Sequence, residues 1–560
     1  MRDIIQPMQT LDPLVIELLK NRGITEEEEI IQFLEPSYNE HLHDPFLLKG
    51  MDVAVERILK AIKNNERIGI WSDYDADGIP GAVILHDTFK KLGYENFVNY
   101  IPHRHDEGFG LNNEGIEELS KDNIKLIITI DCGITDVEQV EFSNSLGIDV
   151  IITDHHLPHE HVPKAFAIIN PKQIGCNYPE KMLCGAALAW KLAIALLKKS
   201  EVETKTGWEK WLLDMVGIAT LSDMVPLRGE NRALAWFGLL VLRKTPRVGL
   251  RSLFKKAGAQ VDYLTEDDIG FTLTPRINVA SRMSDPIHAF NLLKTTSPVE
   301  AEELVGFLEK KNNERKGLVA SITKEIKKRI NEEPEILNHP VLVFGGIHWK
   351  PAVLGLAANT MMRETGKPVF VWGKEDGTHI KGSCRSPVGI SVVDIMSKLP
   401  KGILLEFGGH ACSGGFGVEY DRIHDFQNEL NKAFLDLNCE ANDTSQNNGY
   451  DTVLTLDSVN RKTSGLINKL APFGESNSKP LFLFNKVKVK LKKLFGKTKE
   501  HVELQLEDET GSAKAIQFFA HNDAEILKIE NGSVVSLIAN LEESRFGGRV
   551  EYRLRIVKII

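Results

Sequence analysis

Three carboxylates stand at alternate positions in the segment 73–78, which reads Asp-Tyr-Asp-Ala-Asp-Gly. Buried carboxylates this close repel one another strongly, so a cluster of Asp73, Asp75 and Asp77 normally implies a divalent cation. Two alternatives are a solvated acidic turn and a calcium loop of the D-x-D-x-D-G type. The calcium loop is disfavoured because the glutamate that such a loop needs at a later position is absent. The segment therefore predicts a metal site.

Three further segments place acidic or histidine side chains directly after apolar runs: Asp131, the pair His155 and His156, and Asp223. Taken singly, Asp131 could be a helix N-cap and Asp223 the end of a helix. Two adjacent imidazoles beyond a buried strand favour metal ligation over packing. A mixed set of Asp and His suits Mn²⁺ or Mg²⁺, and paired ions roughly 3.5–4 Å apart are a common means of cleaving phosphoric esters.

The elements that must position these side chains lie in residues 51–230, where strand-like and helix-like stretches alternate. The strand candidates are 66–73, 124–131 and 148–154. Their uninterrupted Ile, Leu and Val predict strands buried on both faces, as in a parallel sheet covered by helices. In open α/β sheets, sites form beyond the carboxyl ends of the strands. Three strands are therefore expected to deliver polar residues to one edge.

The rest of the chain predicts a second α/β domain and a barrel. Residues 298–333 are charged, and Leu318, Ile322, Ile326 and Ile330 recur on one helical face, which predicts a long helix. Beyond a polar stretch, short alternating strands without a long helix are typical of a small OB-type barrel. The predicted domains are an N-terminal lead segment (1–50), a catalytic α/β domain (51–297), the connecting helix (298–333), a second, substrate-binding α/β domain (334–436), a linker (437–449) and an OB-type nucleic-acid-binding domain (450–560).

The motifs DYDADG, IDCG, TDHH and SDMVPL, in this order, resemble the DHH phosphoesterase superfamily. Further segments, among them TPRINVASRMSDP, FGGHACSGG and APFGESNSKPLF, resemble the bacterial RecJ family of single-strand exonucleases over essentially the whole chain. The resemblance implies a hydrolase with two Mn²⁺ or Mg²⁺ ions. It also implies removal of mononucleotides from single-stranded DNA in the 5′-to-3′ direction, in repair and recombination.

By the same resemblance, one ion is held by Asp77, Asp131, His155 and Asp223, and the other by Asp75 and Asp131, which bridges the two. His156 would face the scissile phosphate or support the second ion. Related pyrophosphatases carry a histidine where Trp71 stands, and we expect Asp73 to replace that ligand in part.

Thirteen residues are candidate contacts to nucleic acid: Arg104, Arg276, Asn278, Arg282, Ser383, Arg385, Gly408, Gly409, His410, Lys486, Lys488, Lys490 and Lys492. Arginine forks match phosphate geometry, although salt bridges to neighbours such as Asp285 are the alternative. The glycine pair is expected to form a turn whose backbone N–H groups approach phosphate. The lysines alternate with apolar residues and predict a basic stripe on one face of a strand, the alternative being a lysine-protected edge strand.

Composition excludes several classes. A hydrophobic content of 42% and a charged content of 26% are those of an ordinary globular protein, and no apolar run has the length of a membrane span. The N-terminus lacks the layout of a secretory signal, so a cytoplasmic protein is expected. The six cysteines form no C-x-x-C pair, which argues against zinc ribbons and dithiol redox motifs.

The formal charge of −10 does not exclude nucleic acid, because binding depends on where basic residues cluster. The expected partners are single-stranded DNA, a single-strand-binding protein and a helicase, with the chain a monomer. Two rival functions stay open. One is a DHH phosphodiesterase for short oligonucleotides or cyclic dinucleotides, and the other is a non-catalytic replication scaffold of the same fold.

Overall fold

The computed structural model describes residues 11–374, 379–437, 449–496, 499–520, 524–546 and 549–560. The described residues form two compact units. The first lies within Met1–Thr274, Phe290–Glu302 and Ser445–Ile560, and the second within Pro275–Ala289 and Glu303–Thr444. The predicted linker at 437–449 falls almost wholly outside the described residues. Within the described ranges, no helix has both the length and the apolar character needed to cross a membrane.

The first unit contains a five-stranded parallel sheet in the order β2-β1-β3-β4-β5. Its strands are β1 (Arg67–Ser72), β2 (Phe97–Tyr100), β3 (Ile124–Ile130), β4 (Asp149–Thr153) and β5 (Ala167–Ile169). The central strands β1, β3 and β4 are buried almost throughout, as their Ile-, Leu- and Val-rich sequences require for strands covered on both faces. The predicted parallel sheet is confirmed.

Along residues 11–257 the α-helices are α1 (Pro13–Asn21), α2 (Glu27–Leu34), α3 (Met51–Lys63), α4 (Gly78–Lys91), α5 (Asn113–Lys121), α6 (Val137–Ser145), α7 (Gly185–Lys199), α8 (Leu213–Ser222), α9 (Gly229–Leu242) and α10 (Val248–Ala257). Helices α8 and α9 cross where Gly217 meets Gly238. A Cβ built on Gly217 would lie 2.6 Å from the Gly238 Cα atom, so only glycine permits this approach. Helices α8 and α9 therefore pack closely against each other.

Three helices include residues of both units: α11 (Thr274–Met283), α12 (Ile287–Lys294) and α13 (Pro298–Glu332). Helix α13 is the predicted long helix. Its residues Ile322 and Ile326 are buried in one apolar cluster with Val353 and Leu354, which confirms the apolar face read from the four-residue spacing.

The second unit has a five-stranded sheet in the order β6-β7-β8-β10-β9, in which only β6 and β7 pair in parallel. Its strands and helices are β6 (Leu342–Gly346), α14 (Pro351–Thr365), β7 (Val369–Lys374), β8 (His379–Arg385), α15 (Val392–Ser397), β9 (Leu404–His410), β10 (Ser413–Glu419) and α16 (Ile423–Asp436). Helices α15 and α16 pack on the sheet through Val392, Phe426 and Leu430, in one cluster with Phe416. The predicted second α/β domain is confirmed.

The C-terminal part of the first unit is a closed five-stranded barrel, because β12 pairs with β15 as well as with β13. Its elements are β11 (Thr452–Val453), α17 (Arg461–Asn468), β12 (Phe482–Phe495), β13 (His501–Glu507), β14 (Ser512–Gln517), α18 (Ala524–Lys528), β15 (Val534–Phe546) and β16 (Arg549–Ile559). Closure by a small set of alternating strands is the OB-type architecture that the sequence predicts.

The N-terminal helices α1 and α2 belong to the core of this barrel. Leu18 and Leu19 of α1 and Phe33 of α2 are buried in the same apolar cluster as Phe482 and Phe484 of β12. The first described residues of the chain thus complete a hydrophobic core built mainly from the last hundred or so, a burial that favours folding by about 25 cal/mol for each Å² of apolar surface.

Candidate metal centre

The register of the first sheet brings three aspartates to one edge. The last residues of β1, β3 and β4 are in register with one another. The residues that directly follow these strands are Asp73, Asp131 and Asp154, respectively. The backbone N–H groups of these aspartates continue the ladder, donating to the carbonyl oxygens of the neighbouring strands at 3.1, 2.9 and 3.1 Å. The expected convergence at the carboxyl ends of parallel strands is observed.

Asp77 is fixed by the N-terminus of α7. Its Oδ2 accepts a hydrogen bond from the Gly185 backbone N–H, and its Oδ1 accepts one from Ala186, each at 2.7 Å. A helix N-terminus favours a negative charge, so these two amides hold the carboxylate in one orientation. A Cβ on Gly185 would lie 2.5 Å from the Asp131 Cβ atom, so glycine is required where α7 meets both aspartates.

His155 faces three carboxylates. Its Nε2 atom lies 3.0 Å from Asp131 Oδ1, 3.7 Å from Asp77 Oδ2 and 3.7 Å from Asp223 Oδ2. The ring also makes a hydrogen bond to the Leu183 backbone, while burial lowers the pKa of His155 to about 3. A neutral imidazole that uses one ring nitrogen for a backbone bond keeps the other lone pair for a metal.

Two groups of ligand atoms lie close enough to hold an ion each. Atoms of Asp77, His155 and Asp223 lie within 4.8 Å of one another, as do atoms of Asp73, Asp75 and Asp131. A third group joins Asp131 to His155 and His156. The seven residues singled out from the sequence for metal binding or catalysis therefore form one cluster.

The cluster concentrates buried negative charge. Burial, followed by the neighbouring Asp75 carboxylate, raises the pKa of Asp77 to about 7. Burial and then Asp77 raise the pKa of Asp223 to about 8, and the pKa values of Asp73 and Asp131 also lie well above the ordinary range for the same reasons. Carboxylates this reluctant to ionise together need a positive charge to become stable as anions.

The donor set fits divalent cations. Within the described ranges, the buried atoms Asp73 Oδ1 and Asp131 Oδ1 have no hydrogen-bond partner, although His155 Nε2 lies near the latter. Buried oxygens are normally satisfied, so unpaired ones facing other ligand atoms are what metal ligands show before an ion binds. Carboxylate oxygens and one or two imidazoles match the preferences of Mn²⁺ and Mg²⁺.

Asp154 and Asn170 are positioning residues that sequence reasoning missed. Asp154 accepts a hydrogen bond from the Ile134 backbone N–H at 2.9 Å and lies 2.8 Å from His156 Nδ1. Asn170 is fully buried and donates to the His156 carbonyl oxygen at 2.9 Å. The only sequence signal for Asp154 was its place in the TDHH motif, and Asn170 carried none, because its contact spans 14 residues.

Trp71 lies in the core. Its indole N–H donates to the Gly110 carbonyl oxygen at 3.2 Å, and its ring stacks on Tyr100 with centroids 4.2 Å apart. The position at which related pyrophosphatases carry a histidine is therefore occupied by a packed, hydrogen-bonded side chain.

The rim of the metal cluster carries Arg104. Its guanidinium carbon lies 5.0 Å from the ring centroid of Tyr74, between two of the clustered aspartates in sequence, and its charge acts on Asp73. Phe109 is 49% exposed and packs edge-on against His156, with ring centroids 5.6 Å apart. A cation and an exposed aromatic ring thus flank the cluster, where a phosphate and a base could be held.

The predicted contacts on α11 lie in the second unit. Arg276 forms a salt bridge with Glu309 of α13, and Arg282 donates to the Ala352 carbonyl oxygen at 3.3 Å. The buried Asn278 Oδ1 atom has no hydrogen-bond partner within the described ranges. The salt-bridge alternative therefore holds for Arg276 in this structure, and DNA binding by these residues stays a prediction.

The prediction of a turn at Gly408–Gly409–His410 is wrong. These residues lie in strand β9, which pairs with β10, and Gly409 opposes Gly414. The conformation at Gly409, with φ +141°, needs glycine because a Cβ would lie 2.3 Å from the Ser413 carbonyl oxygen. Ser383 and Arg385 lie on β8, two strands away. The glycines thus permit a close strand pairing and do not form a phosphate-binding turn.

Three of the four lysines predicted to form a basic stripe on β12 are exposed, and Lys492 is not. Lys486, Lys488 and Lys490 are exposed and alternate with buried valines, but Lys488 and Lys490 both pair with Glu507, at 3.4 and 3.6 Å. The Lys492 ammonium group instead donates to three backbone carbonyls at the end of α18, at 2.8–3.0 Å.

A register shift between Val489 and Leu491 breaks the alternation, so Lys492 leaves the stripe. It caps a helix, which a pattern of alternate residues cannot reveal. The edge-strand alternative stays open beyond Lys488, because the described residues of β12 pair with β15 only up to Lys488 and with β13 alone from Leu491 onward.

Three protein-family profiles match the chain in order. The DHH family N-terminal domain matches residues 67–220, the DHHA1 domain matches 338–436, and the RecJ OB domain matches 450–558. The first match includes all the clustered ligands except Asp223.

Curated relatives match over most of the chain. A single-stranded-DNA-specific exonuclease RecJ from Bacillus subtilis (strain 168) is 34% identical, with 98% of this chain and 68% of that protein covered. Its namesake from Escherichia coli (strain K12) is 31% identical, with 84% and 83% covered. Among solved structures, RecJ in complex with Mn²⁺ from Thermus thermophilus superposes with a TM-score of 0.80 at 25% identity, covering 98% of this chain and 76% of that one.

Proposed function

The chain belongs to the RecJ family of exonucleases specific for single-stranded DNA, and we infer from this that it degrades single-stranded DNA by hydrolysing phosphodiester bonds. It is a metal-dependent hydrolase, in keeping with the Mn²⁺ complex of its structural relative. We further propose that hydrolysis takes place at the Asp/His cluster at the edge of the first sheet. The observation that carries this proposal is the meeting of two ligand groups, one with His155 and one of aspartates only, at the buried Asp131.

The two ligand groups suggest a role for each side chain. Asp77, His155 and Asp223 would hold one cation, Asp73 and Asp75 would hold a second, and Asp131 would lie between them. Bound there, divalent cations supply positive charge that neutralises a phosphate and lower the pKa of water. Asp73 thus joins the second ion, whereas the resemblance suggested that it compensates for a missing imidazole at the first.

The chain's own residues orient the substrate. Asp154 forms a hydrogen bond with Nδ1 of His156. Burial alone would lower the pKa of His156, but this hydrogen bond raises the pKa to about 9. A protonated His156 keeps its Nε2–H for a non-bridging phosphate oxygen, a charge-assisted bond that strengthens as negative charge develops in the transition state. Arg104 lies beside Tyr74 at the same rim and is proposed to bind a neighbouring phosphate.

The polarity and the products form the finer part of the proposal. From the motif resemblance we propose 5′-to-3′ removal of mononucleotides, with Arg104 and the second-unit residues Arg276, Asn278, Arg282, Ser383, Arg385 and His410 as further contacts to DNA. On the barrel, Lys486, Lys488 and Lys490 are proposed to follow the backbone of the strand, whereas Lys492 is withdrawn from this set.

Partners and assembly are also proposed. An enzyme that accepts only single strands needs a source of them, so a helicase that unwinds duplex DNA and a protein that coats the resulting strand fit its substrate. We propose that the chain acts as a monomer, because every side chain of the ligand cluster comes from one unit of one chain.

A substrate comparison tests the proposal. The purified chain is incubated with Mn²⁺ or with a chelator, and with one of four substrates: a 5′-labelled single strand, the same strand labelled at its 3′ end, its duplex, and a cyclic dinucleotide. We expect metal-dependent degradation of the single strand, with early release of the label from the 5′-labelled strand as a mononucleotide. Faster turnover of the cyclic dinucleotide would favour the phosphodiesterase rival, and metal binding without turnover of any substrate would favour the scaffold.

A further inference from the structure

One predicted ligand differs from the others in how it is held. Asp73, Asp131 and His155 stand at or next to the ends of buried parallel strands. Asp223 instead ends α8 and begins the loop 224–228 that leads to α9. Its side chain is 30% exposed, against 4% for that of Asp131. Its backbone N–H donates to the Ala219 carbonyl oxygen at 2.8 Å, which ties Asp223 to the last turn of α8 on one side, while the loop sets the direction of the chain on the other.

The loop has a strained start. Met224 follows Asp223 with a backbone φ of +57° and is 68% exposed. A left-handed conformation at an exposed residue other than glycine, asparagine or aspartate is unfavourable and persists only where the surroundings hold it. Some contact further along the loop must therefore maintain the backbone direction at Asp223.

That contact is made with the segment that leads into the barrel. The Leu227 backbone N–H donates to the Glu475 carbonyl oxygen at 2.9 Å. The Leu227 side chain is buried and lies so close to Gly474 that a Cβ on this glycine would come within 2.8 Å of Leu227 Cδ1. The loop after α8 and residues 471–477 are thus joined by a backbone hydrogen bond, and a larger residue at position 474 would displace the buried Leu227 side chain.

The segment 471–477 is itself rigid. The fully buried Asn477 donates through Nδ2 to the carbonyl oxygens of Leu470 and Pro472, at 2.9 and 2.8 Å. Its Oδ1 accepts from Arg22 Nε at 2.9 Å, and Gly474 donates to the Asn477 carbonyl oxygen at 3.0 Å. An amide with its hydrogen bonds satisfied in the interior fixes the backbone around it.

Two arginines extend the same junction. Arg228, at the end of the loop, donates to the Arg22 carbonyl oxygen at 2.7 Å. Arg232, on α9 and 1% exposed, donates to the Ala471 and Pro472 carbonyl oxygens at 2.9 and 3.3 Å and to that of Phe33 at 2.5 Å. Buried guanidinium groups paired with several carbonyls resist displacement, because breaking a bond leaves a buried charge unsatisfied.

Loop 224–228 and segment 471–477 are together named the latch. We propose that the latch positions Asp223 and so couples the cation affinity of the proposed metal site to the barrel. Gly474, Leu227 and Arg228 are then positioning residues that act through Asp223. The inference rests on the proposed metal-dependent function. It adds that a substitution in segment 471–477, which is remote from Asp223 in sequence, weakens the binding of the metal ion and does not weaken the binding of single-stranded DNA.

The test uses the full chain and two variants of the latch. Gly474→Val forces Leu227 away, and Arg228→Met removes the bond to the Arg22 carbonyl oxygen at a partly exposed position. Gly465→Ala is the matched control, because a Cβ on Gly465 of α17 meets nothing within 4 Å. Each protein is titrated with Mn²⁺ by calorimetry, hydrogen exchange of the peptide containing Leu227 is followed without metal, and kcat and KM are measured on a labelled single strand.

We expect both latch variants to exchange faster at Leu227, to bind Mn²⁺ about tenfold more weakly in one site, and to lose kcat while KM for the strand is unchanged. Adding Leu227→Ala to Gly474→Val restores room and is expected to recover part of the affinity, which a general loss of stability would not allow. Gly465→Ala should match the wild type.

Mn²⁺ affinities within about twofold of wild type, together with faster exchange at Leu227, would overturn the latch. A rise in KM for the strand without a change in Mn²⁺ affinity would overturn it equally. If Gly474→Val does not fold, Arg228→Met tests the proposal through the same measurements of Mn²⁺ affinity, hydrogen exchange at Leu227, kcat and KM. A wild-type protein that binds Mn²⁺ but leaves single strands intact would contradict the proposed function and leave the metal-binding result on the latch standing.

Discussion

Asp154 holds His156 twice: its Oδ1 accepts the His156 backbone N–H at 3.0 Å and lies 2.8 Å from the ring Nδ1 atom. Its second oxygen accepts the Ile134 backbone N–H at 2.9 Å, in the turn after Asp131. Burial alone would raise the pKa of Asp154, but the hydrogen bonds from His156 lower this pKa, so the carboxylate stays ionised. One buried carboxylate thus sets both the orientation and the charge of the imidazole beside the proposed metal ligands.

Asp154→Asn should therefore lower kcat by about 10–100-fold, because the amide no longer stabilises a protonated His156. The variant is compared with Asp149→Asn, which changes the same residue type at the opposite end of β4, where Asp149 pairs with Arg57 at 2.6 Å. Steady-state rates on a labelled single strand, measured between pH 6 and 9, provide the check. Equal rates for the two variants would show that Asp154 does not support catalysis through His156.

Stability of the metal-free protein should fall as pH rises from about 6.5 to 9. The pKa of Asp223 is raised to about 8 and that of His156 to about 9, so the native state binds more protons than the unfolded state in this range. Stability then decreases with pH, since its slope follows the protons bound by the unfolded state minus those bound by the native state. Thermal midpoints measured with and without Mn²⁺ test this, and the slope should flatten when the metal is present.

Asp131→Asn provides the comparison for that measurement. Removing one of the like charges lowers the pKa of the remaining carboxylates, so the fall in the midpoint should be shallower than in the wild type. A wild-type midpoint that rises across this pH range without metal would show that the cluster carries no shared protons.

The barrel lysines should separate into two classes. Replacing Lys486, Lys488 and Lys490 by Ala should flatten the slope of log affinity against log salt by about 0.7 for each phosphate that is no longer bound. Lys492→Ala should instead lower the thermal midpoint, because its ammonium group caps the carbonyls at the end of α18. Salt-dependent binding of a long single strand and thermal melts distinguish them. An unchanged slope in the triple variant would show that the exposed stripe does not bind the strand.

The two ligand groups predict unequal metal affinities. Asp73, Asp75 and Asp131 offer only oxygen, whereas the group of Asp77 and Asp223 includes the imidazole of His155. Mn²⁺ should bind more firmly to the group with a nitrogen ligand, and activity should follow occupancy of the weaker, oxygen-only group. Calorimetric titration in parallel with nuclease rates tests this. Full activity after one equivalent of Mn²⁺ would be inconsistent with it.

The sequence predicted what local pattern determines. Uninterrupted Ile and Leu indicated β3 at 124–130, and the residues that follow such strands converge because parallel strands end at one edge. The pairing of Asp77 with Gly185 was not predictable, since it spans 108 residues and depends on the packing of α7 against α4. Likewise, no local signal places Leu18 in the core of a barrel whose first long strand begins at Phe482.

The errors have the same origin. Gly408 and Gly409 were assigned to a turn because glycine allows it, but their tertiary partner is strand β10, where Gly409 faces Gly414. Lys492 follows the alternation of β12 only in the sequence, because the register shift after Val489 turns it toward the end of α18. Patterns of period two predict a face only while the pairing register is unbroken.

Asp131 links the two ligand groups, so its removal should affect both. Wild type and Asp131→Ala are titrated with Mn²⁺ by calorimetry, and their rates on an end-labelled single strand are measured at saturating metal, with thermal melts as the check on folding. Because Asp131 belongs to the group of aspartates and its Oδ1 lies 3.0 Å from His155 Nε2 of the other group, the variant is expected to fold, to lose Mn²⁺ binding in both groups and to retain less than about a thousandth of the activity. Retention of more than about a tenth of wild-type activity with Mn²⁺ binding intact would contradict the proposal that Asp131 would help to hold both cations.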